Sequence, residues 1–293
     1  MTPAARALLA SLVDYAGLFP PAELPMAEAV AEYRRWRRAP ESWLLGRFVV
    51  PAARLDELSR AIGRSPLGDG PWRASALLGA EIAADAERVQ AFNRGPARRA
   101  RVETVELRAS TPPAVEAALA AVPRGLPASV ELPLDGDLPA LLERLKARRA
   151  QAKVRTGGVT AGAIPAPLPL ARFIRACADA GVPFKATAGL HHAVRAERPL
   201  TYASDAPRAV MHGFLNVFAA AAFAREARVD ELEAVLREEN PACFRLDGDG
   251  LAWRHLRASS EQLASCRASL AISFGSCSFA EPVADLRGLG AIA

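Results

Sequence analysis

Of the 37 basic residues in this chain only three are lysine: Lys146, Lys153 and Lys185. Where nearly every cation is written as arginine, a retained lysine points to chemistry that arginine cannot do. A desolvated lysine amine can shed its proton and act as a nucleophile, whereas a guanidinium stays charged. Lys146 lies in the polar helical run 143–148 and reads as a solvated side chain. Lys153 and Lys185 lie instead in Ala152-Lys153-Val154-Arg155-Thr156 and Phe184-Lys185-Ala186-Thr187, where apolar and polar residues alternate as they do along a strand.

The elements that must position these lysines follow from the rest of the pattern. Short apolar runs at 13–19, 44–50, 73–78, 102–108, 129–133, 152–156, 184–190 and 270–274 predict eight strands. Helical patterns predict helices at 27–36, 53–62, 82–92, 113–121, 138–149, 170–180 and 206–226. Eight alternating units predict an α/β fold, a (β/α)8 TIM barrel forming a single domain over residues 1–293. An insertion at roughly 227–268 separates strands seven and eight, with helical stretches at 230–239 and 261–267 flanking a hairpin at 244–251 that turns on its Asp-Gly steps. No G-x-G-x-x-G fingerprint follows the early strands, which speaks against an open dinucleotide-binding sheet.

Strand side chains alternate between two faces, and in a barrel the apolar partner of each pair meets the helices while the other faces inward. This places Arg47, Glu106, Arg108, Glu131, Lys153, Arg155, Lys185, Thr187, Gly189 and His191 inside. Five cations then face two carboxylates. Such a cavity attracts a small anionic substrate and depresses the pKa of a lysine within it. Two ammonium groups on adjacent strands, about 4.8 Å apart, would repel, so one is expected to stay neutral.

Three segments carry a family likeness: Lys153-Val154-Arg155-Thr156-Gly157-Gly158, Lys185-Ala186-Thr187-Ala188-Gly189 and Phe274-Gly275-Ser276-Cys277-Ser278. In that order they resemble the deoxyribose-phosphate aldolase group of class I, Schiff-base aldolases, over the C-terminal half of the chain. The resemblance implies a lyase with Lys153 as the Schiff-base lysine and Lys185 as the neighbour that keeps it unprotonated. Glu106 or Glu131 would move protons, and Gly275, Ser276 and Ser278 would hold a phosphate or carboxylate. Arg47, Arg108, Arg155, Thr187 and His191 would complete the substrate site, with no cofactor. The chain departs from the family in the long stretch between its second lysine and Gly275, in the extra cation Arg155 and in the pair His191-His192. These departures point to a substrate other than deoxyribose 5-phosphate, a sugar phosphate or a keto or aldehyde acid.

Two other readings remain open. His191 and His212, with Glu106, Glu131 or Asp14, offer imidazole and carboxylate ligands for a metal-dependent isomerase, lyase or hydrolase. A barrel that binds a ligand without catalysis is the third. Nucleic acid is not an expected partner, because the net charge of +5 is scattered and only 6% of residues are aromatic. No membrane association is expected either: the most apolar helical run, 214–224, is short and contains Asn216. The four cysteines form no C-x-x-C pair, which fits a reducing cytoplasmic setting, and Cys277 reads as a small buried hydrophobe. The segment Asp14–Ala22 belongs either at the barrel mouth or at its floor. Assembly as a homo-oligomer is left open.

Overall fold

A computed structural model describes residues 2–63, 70–95 and 99–292. Eight parallel strands close into a barrel: β1 (Val13–Tyr15), β2 (Leu45–Pro51), β3 (Trp72–Leu77), β4 (Ala100–Arg108), β5 (Ala128–Glu131), β6 (Gln151–Arg155), β7 (Phe184–Thr187) and β8 (Ala271–Ser276). Each pairs with its sequence neighbours, and β1 closes the ring by pairing with both β2 and β8. The architecture is a (β/α)8 TIM barrel. Helices α1 (Pro3–Leu9), α2 (Met26–Arg37), α3 (Leu55–Ile62), α4 (Ile82–Arg94), α5 (Pro112–Ala121), α6 (Leu138–Ala147), α7 (Pro167–Ala180), α8 (Phe214–Phe223), α9 (Val229–Arg237), α10 (Ser260–Ser269) and α11 (Ala280–Gly288) accompany the strands. The main core lies between the two rings. There Phe48, Val50, Val105, Leu107, Val130, Val154, Phe184, Ala186 and Phe274 are fully buried beside helical residues such as Leu58, Val89, Leu141, Phe173 and Val217.

The observed strands fall close to the expected ones, with two informative exceptions. The first strand stops at Tyr15 rather than 19, and the seventh at Thr187 rather than 190. After Thr187 the backbone turns left-handed at Ala188 (φ 62°) and Gly189 (φ 77°), which takes it off the ladder. This turn matters for the mouth of the barrel. Gly157, just past β6, and Gly189 pack backbone to backbone: a Cβ on Gly189 would stand 2.8 Å from Gly157 Cα. The Thr156 hydroxyl locks the crossing by donating to Ala188 O at 2.6 Å. Gly189→Ala is therefore expected to lose about 1–3 kcal/mol in denaturant unfolding, and an unchanged midpoint would refute the close approach.

Between β7 and β8 the chain departs from expectation. The helix expected over 206–226 begins only at Phe214, because Arg208–Met211 pairs antiparallel with Ala196–Pro199. The hairpin near 244–251 is present as Phe244–Leu246 on Gly250–Trp253, and a third strand, Leu256–Ser259, extends it. Its turn is held by the Asp247 carboxylate, which accepts from the backbone of Asp249 and Gly250. Helix α9 packs on α7 and α8, while α10 packs on α1 and α8. Helices α1 and α11 were outside the expected set. Among the described residues no helix is long and apolar enough to cross a membrane.

Candidate active site

The register of β4 to β7 brings the inward side chains together. Arg108 pairs with Glu131, Glu131 with Lys153, and Lys153 with Lys185, so the two lysines are direct cross-strand neighbours. Both are buried, at 4% and 3% exposure. They do not stand as two bare ammonium groups. Lys185 Nζ donates to Asp14 Oδ2 and to Glu106 Oε1, each at 2.6 Å. Lys153 Nζ lies 2.9 Å from Glu106 Oε2 and 3.2 Å from Glu131 Oε2. Beyond it, Arg108 and Arg155 both approach Glu131 Oε1 at 3.2 Å. The result is an alternating chain of charge: Asp14, Lys185, Glu106, Lys153, Glu131 and the two arginines.

Hydroxyl and amide donors fix the carboxylates in this chain. Ser75 Oγ donates to Glu106 Oε1 at 2.6 Å, and Ser273 Oγ to Asp14 Oδ2 at 2.9 Å. The other Asp14 oxygen accepts from the Arg47 amide at 2.7 Å. Asp14 fits because residue 46 is glycine, where a Cβ would fall 2.3 Å from Asp14 Oδ1. Glu131 Oε2 differs from the rest: it is buried yet has no hydrogen-bond partner, since Lys153 stands within ion-pair distance but out of alignment.

The electrostatics fix the charge on Lys185. Burial disfavours the charged form of Lys185, but Asp14 and Glu106 overcome it and raise the pKa, so this amine remains an ammonium. Burial likewise opposes ionisation of Glu106, yet Lys153 and Lys185 hold its carboxyl well below the usual carboxylate range. Glu131 is also lowered, with Lys153, Arg155 and Arg108 prevailing over its burial. A bridging carboxylate thus removes the repulsion expected between neighbouring lysines. The charge count changes too. Arg47 does not line the cavity: with Arg73 it pairs with Glu103, lower in the barrel. Asp14, beneath the cavity lining, joins the chain of charge through Lys185, which makes four cations against three carboxylates in that chain.

Above the charges is a cavity of about 340 Å³ lined by Glu106, Glu131, Lys153, Lys185, Arg108, Arg155, Thr187, Gly189, Gly275, Cys277 and His191. Ala16, Phe19, Pro20 and Pro21 cover it, which places the segment after β1 at the mouth and not at the floor. The mouth is the end at which barrel enzymes assemble their sites. A more open hollow of about 560 Å³ shares Arg108, Glu131 and Arg155 with the cavity and continues past Ser110, Leu134 and Pro165.

The expected anion loop is not formed as such. Gly275 faces the cavity, but Ser276 and Ser278 are absent from its lining. Their hydroxyls accept backbone hydrogen bonds from Ser278 and Glu281 in the turn leading to α11. Strand alternation explains this, since Gly275 and Cys277 share one face and Ser276 the other.

The histidines do not gather. His191 reaches the cavity rim, where Nδ1 lies 3.0 Å from Glu281 Oε2 and 3.9 Å from Cys277 Sγ. His212 is buried away from the cavity with Nε2 donating to Pro165 O at 2.8 Å, and burial lowers its pKa to about 4. Among the described residues no group of three or more His, Cys, Asp or Glu side chains is placed to hold a metal ion. For His191, burial opposes the charge but contacts with Cys277 and Glu281 raise the pKa to about 9. Its folded pKa lies above the ordinary 6.5, so the Glu281 pair stabilises the fold fully below 6.5 and loses that contribution as pH rises through 9. NMR titration is expected to find the His191 imidazolium intact at pH 8. A midpoint near 6.5 would contradict the pairing.

No family model matches this chain, and no curated protein or solved structure does either. TIM barrels are commonly enzymes, though the fold hosts many unrelated reactions.

Proposed function

We propose that this chain is a Schiff-base lyase of the class I aldolase type, with Lys153 as its nucleophile and a small anionic carbonyl compound as its substrate. The observation that supports it best is the unbroken run Asp14–Lys185–Glu106–Lys153–Glu131 beneath a covered cavity. Paired buried charges of this length cost stability relative to apolar packing, and their position at the strand ends suits chemistry better than support.

Lys153 is favoured over Lys185 on geometry. Lys185 is clamped by two carboxylates at 2.6 Å. The contacts of Lys153 are longer, and one of them is unaligned. In the proposed reaction its proton passes to Glu131 Oε2 or to a water there. The free amine lone pair forms a C–N bond to the substrate carbonyl carbon, and the carbonyl oxygen leaves as water. The iminium then accepts the electron pair of the adjacent carbon–carbon bond as it breaks, while a carboxylate takes the hydroxyl proton of the departing fragment. Glu106 stays ionised throughout, held by Lys185 and Ser75, and so stabilises the iminium charge.

The substrate's anionic group is assigned to Arg108 and Arg155. The Ser276 and Ser278 side chains are absent from the cavity lining, whereas both guanidiniums line it and retain exposure. Arg155→Ala is expected to raise KM roughly tenfold with little change in kcat; a pure kcat effect would remove the anion assignment. The reading as a whole is tested by borohydride reduction in the presence of small aldehydes, ketones and keto acids, followed by peptide mass mapping. A reduced adduct on Lys153 is expected, and failure with every carbonyl would overturn it.

A further inference from the structure

The four cysteines occupy different settings. Cys177 and Cys266 are buried within helices α7 and α10, and burial raises both thiols, Cys266 to about 11. Cys243 is half-buried beside Glu238, and burial together with that carboxylate raises it as well. Cys277 differs in both access and company. It lines the 340 Å³ cavity, with Sγ 3.9 Å from His191 Nδ1 and 3.7 Å from the Tyr202 hydroxyl. Glu281 completes the cluster, 3.0 Å from His191 Nδ1 and 3.2 Å from the Tyr202 oxygen.

This company decides the chemistry of the sulfur. The thiolate is the form that attacks electrophiles, and the His191 ring stands where it can pair with that sulfur and pass a proton to a leaving group. Cys277 and Glu281 together keep His191 charged at neutral pH, and Tyr202, held as a neutral phenol by burial and by Cys277 and Glu281, donates its hydroxyl to Glu281 and stands beside the sulfur. Tyr202 sits on the connection between Ala196–Pro199 and Arg208–Met211, so the hairpin missed by the sequence pattern is what brings a hydroxyl to this thiol.

We propose that Cys277 is an oxidant-sensitive modification site, taking a peroxide as its small electrophile. The thiolate attacks the nearer peroxide oxygen, an S–O bond forms and the O–O bond breaks. The departing hydroxide takes a proton from the His191 imidazolium and leaves as water. Sulfur is oxidised by two electrons to sulfenic acid while the peroxide is reduced. A small thiol reverses the change through a mixed disulfide. Because Cys277 shares the cavity with Lys153 and Lys185, the added oxygen occupies substrate space and closes the pocket while the oxidised form lasts. This site stands on its own geometry and does not depend on the Schiff-base reading.

The test uses the full chain, hydrogen peroxide and a sulfenic-acid trap such as dimedone, with all four cysteine peptides followed by mass spectrometry. Cys277 is expected to be labelled at least about tenfold faster than the more accessible Cys243. His191→Gln is expected to slow Cys277 labelling by about tenfold without changing Cys243. If His191→Gln does not fold, Tyr202→Phe, which deletes a single hydroxyl from a largely exposed side chain, is expected to slow it severalfold. Labelling that favours Cys243, or a Cys277 rate indifferent to the loss of its partner, would overturn the proposal. Neither result bears on adduct formation at Lys153.

Discussion

Replacing Lys153 with arginine is expected to abolish borohydride-trappable adducts, a loss on the order of 10³-fold or more as for other covalent nucleophiles, while the protein stays folded. Arginine keeps the positive charge between Glu106 and Glu131, so the buried carboxylates remain paired. Its guanidinium cannot be deprotonated and cannot form an imine. The variant therefore separates chemistry from scaffolding, which an alanine would confound. Lys185→Arg provides the contrast: the wild-type adduct should persist at Lys153, weakened because Glu106 is held less tightly. If the adduct survives in Lys153→Arg and maps to Lys185, the two amines exchange roles.

Glu106→Gln is expected to have the largest effect on stability, about 3–5 kcal/mol in chemical unfolding, because it removes the partner shared by the two buried lysines. Glu106 is 2% exposed, so little solvent screening softens the loss. The sign with pH follows from its depressed pKa. Its stabilising contribution is present above the ordinary carboxylate pKa, about 4.3, and disappears as pH falls through the lower folded value. Wild type should therefore lose stability steeply in acid, and Glu106→Gln should flatten that slope. The same variant should move the trapping profile toward lower pH, since without the bridge the two amines repel and one gives up its proton more readily. A double variant that also replaces Lys185 with Met should recover part of the lost stability, as expected for coupled sites. Simple additivity of the two changes would argue that Glu106 is not a shared partner.

Much of this site was legible in the sequence because strand periodicity carries it. The alternation in 105–108, 129–132, 152–156 and 184–187 fixes which side chains face inward, and Glu106, Glu131, Lys153, Arg155 and Lys185 all follow it. What periodicity does not carry is depth. Arg47 obeys the alternation yet pairs below the cavity with Glu103, because face and height along the barrel axis are independent. Asp14 gives no alternating signal, since β1 is three residues long and buried throughout. Its role depends on β8 and β2 closing around it, a long-range fact. Ser276 and Ser278 show the opposite error: motif similarity suggested an anion loop where period two already separated them from Gly275. The Cys277–His191–Glu281–Tyr202 cluster was out of reach for a different reason. Its members come from three segments spread over ninety residues, from His191 to Glu281, and local pattern does not join them.

The covering of the cavity by Phe19 and Pro21, with an open hollow beside it at Arg108 and Arg155, gives traffic through the barrel a direction. On the proposed reading, small molecules would come and go on the β4 to β6 flank. If the proposed lyase chemistry divides one molecule into two, a flank doorway would impose a sequence of departures: the piece nearest the arginines would go first, while its counterpart, tethered by nitrogen, would wait for water to follow it in.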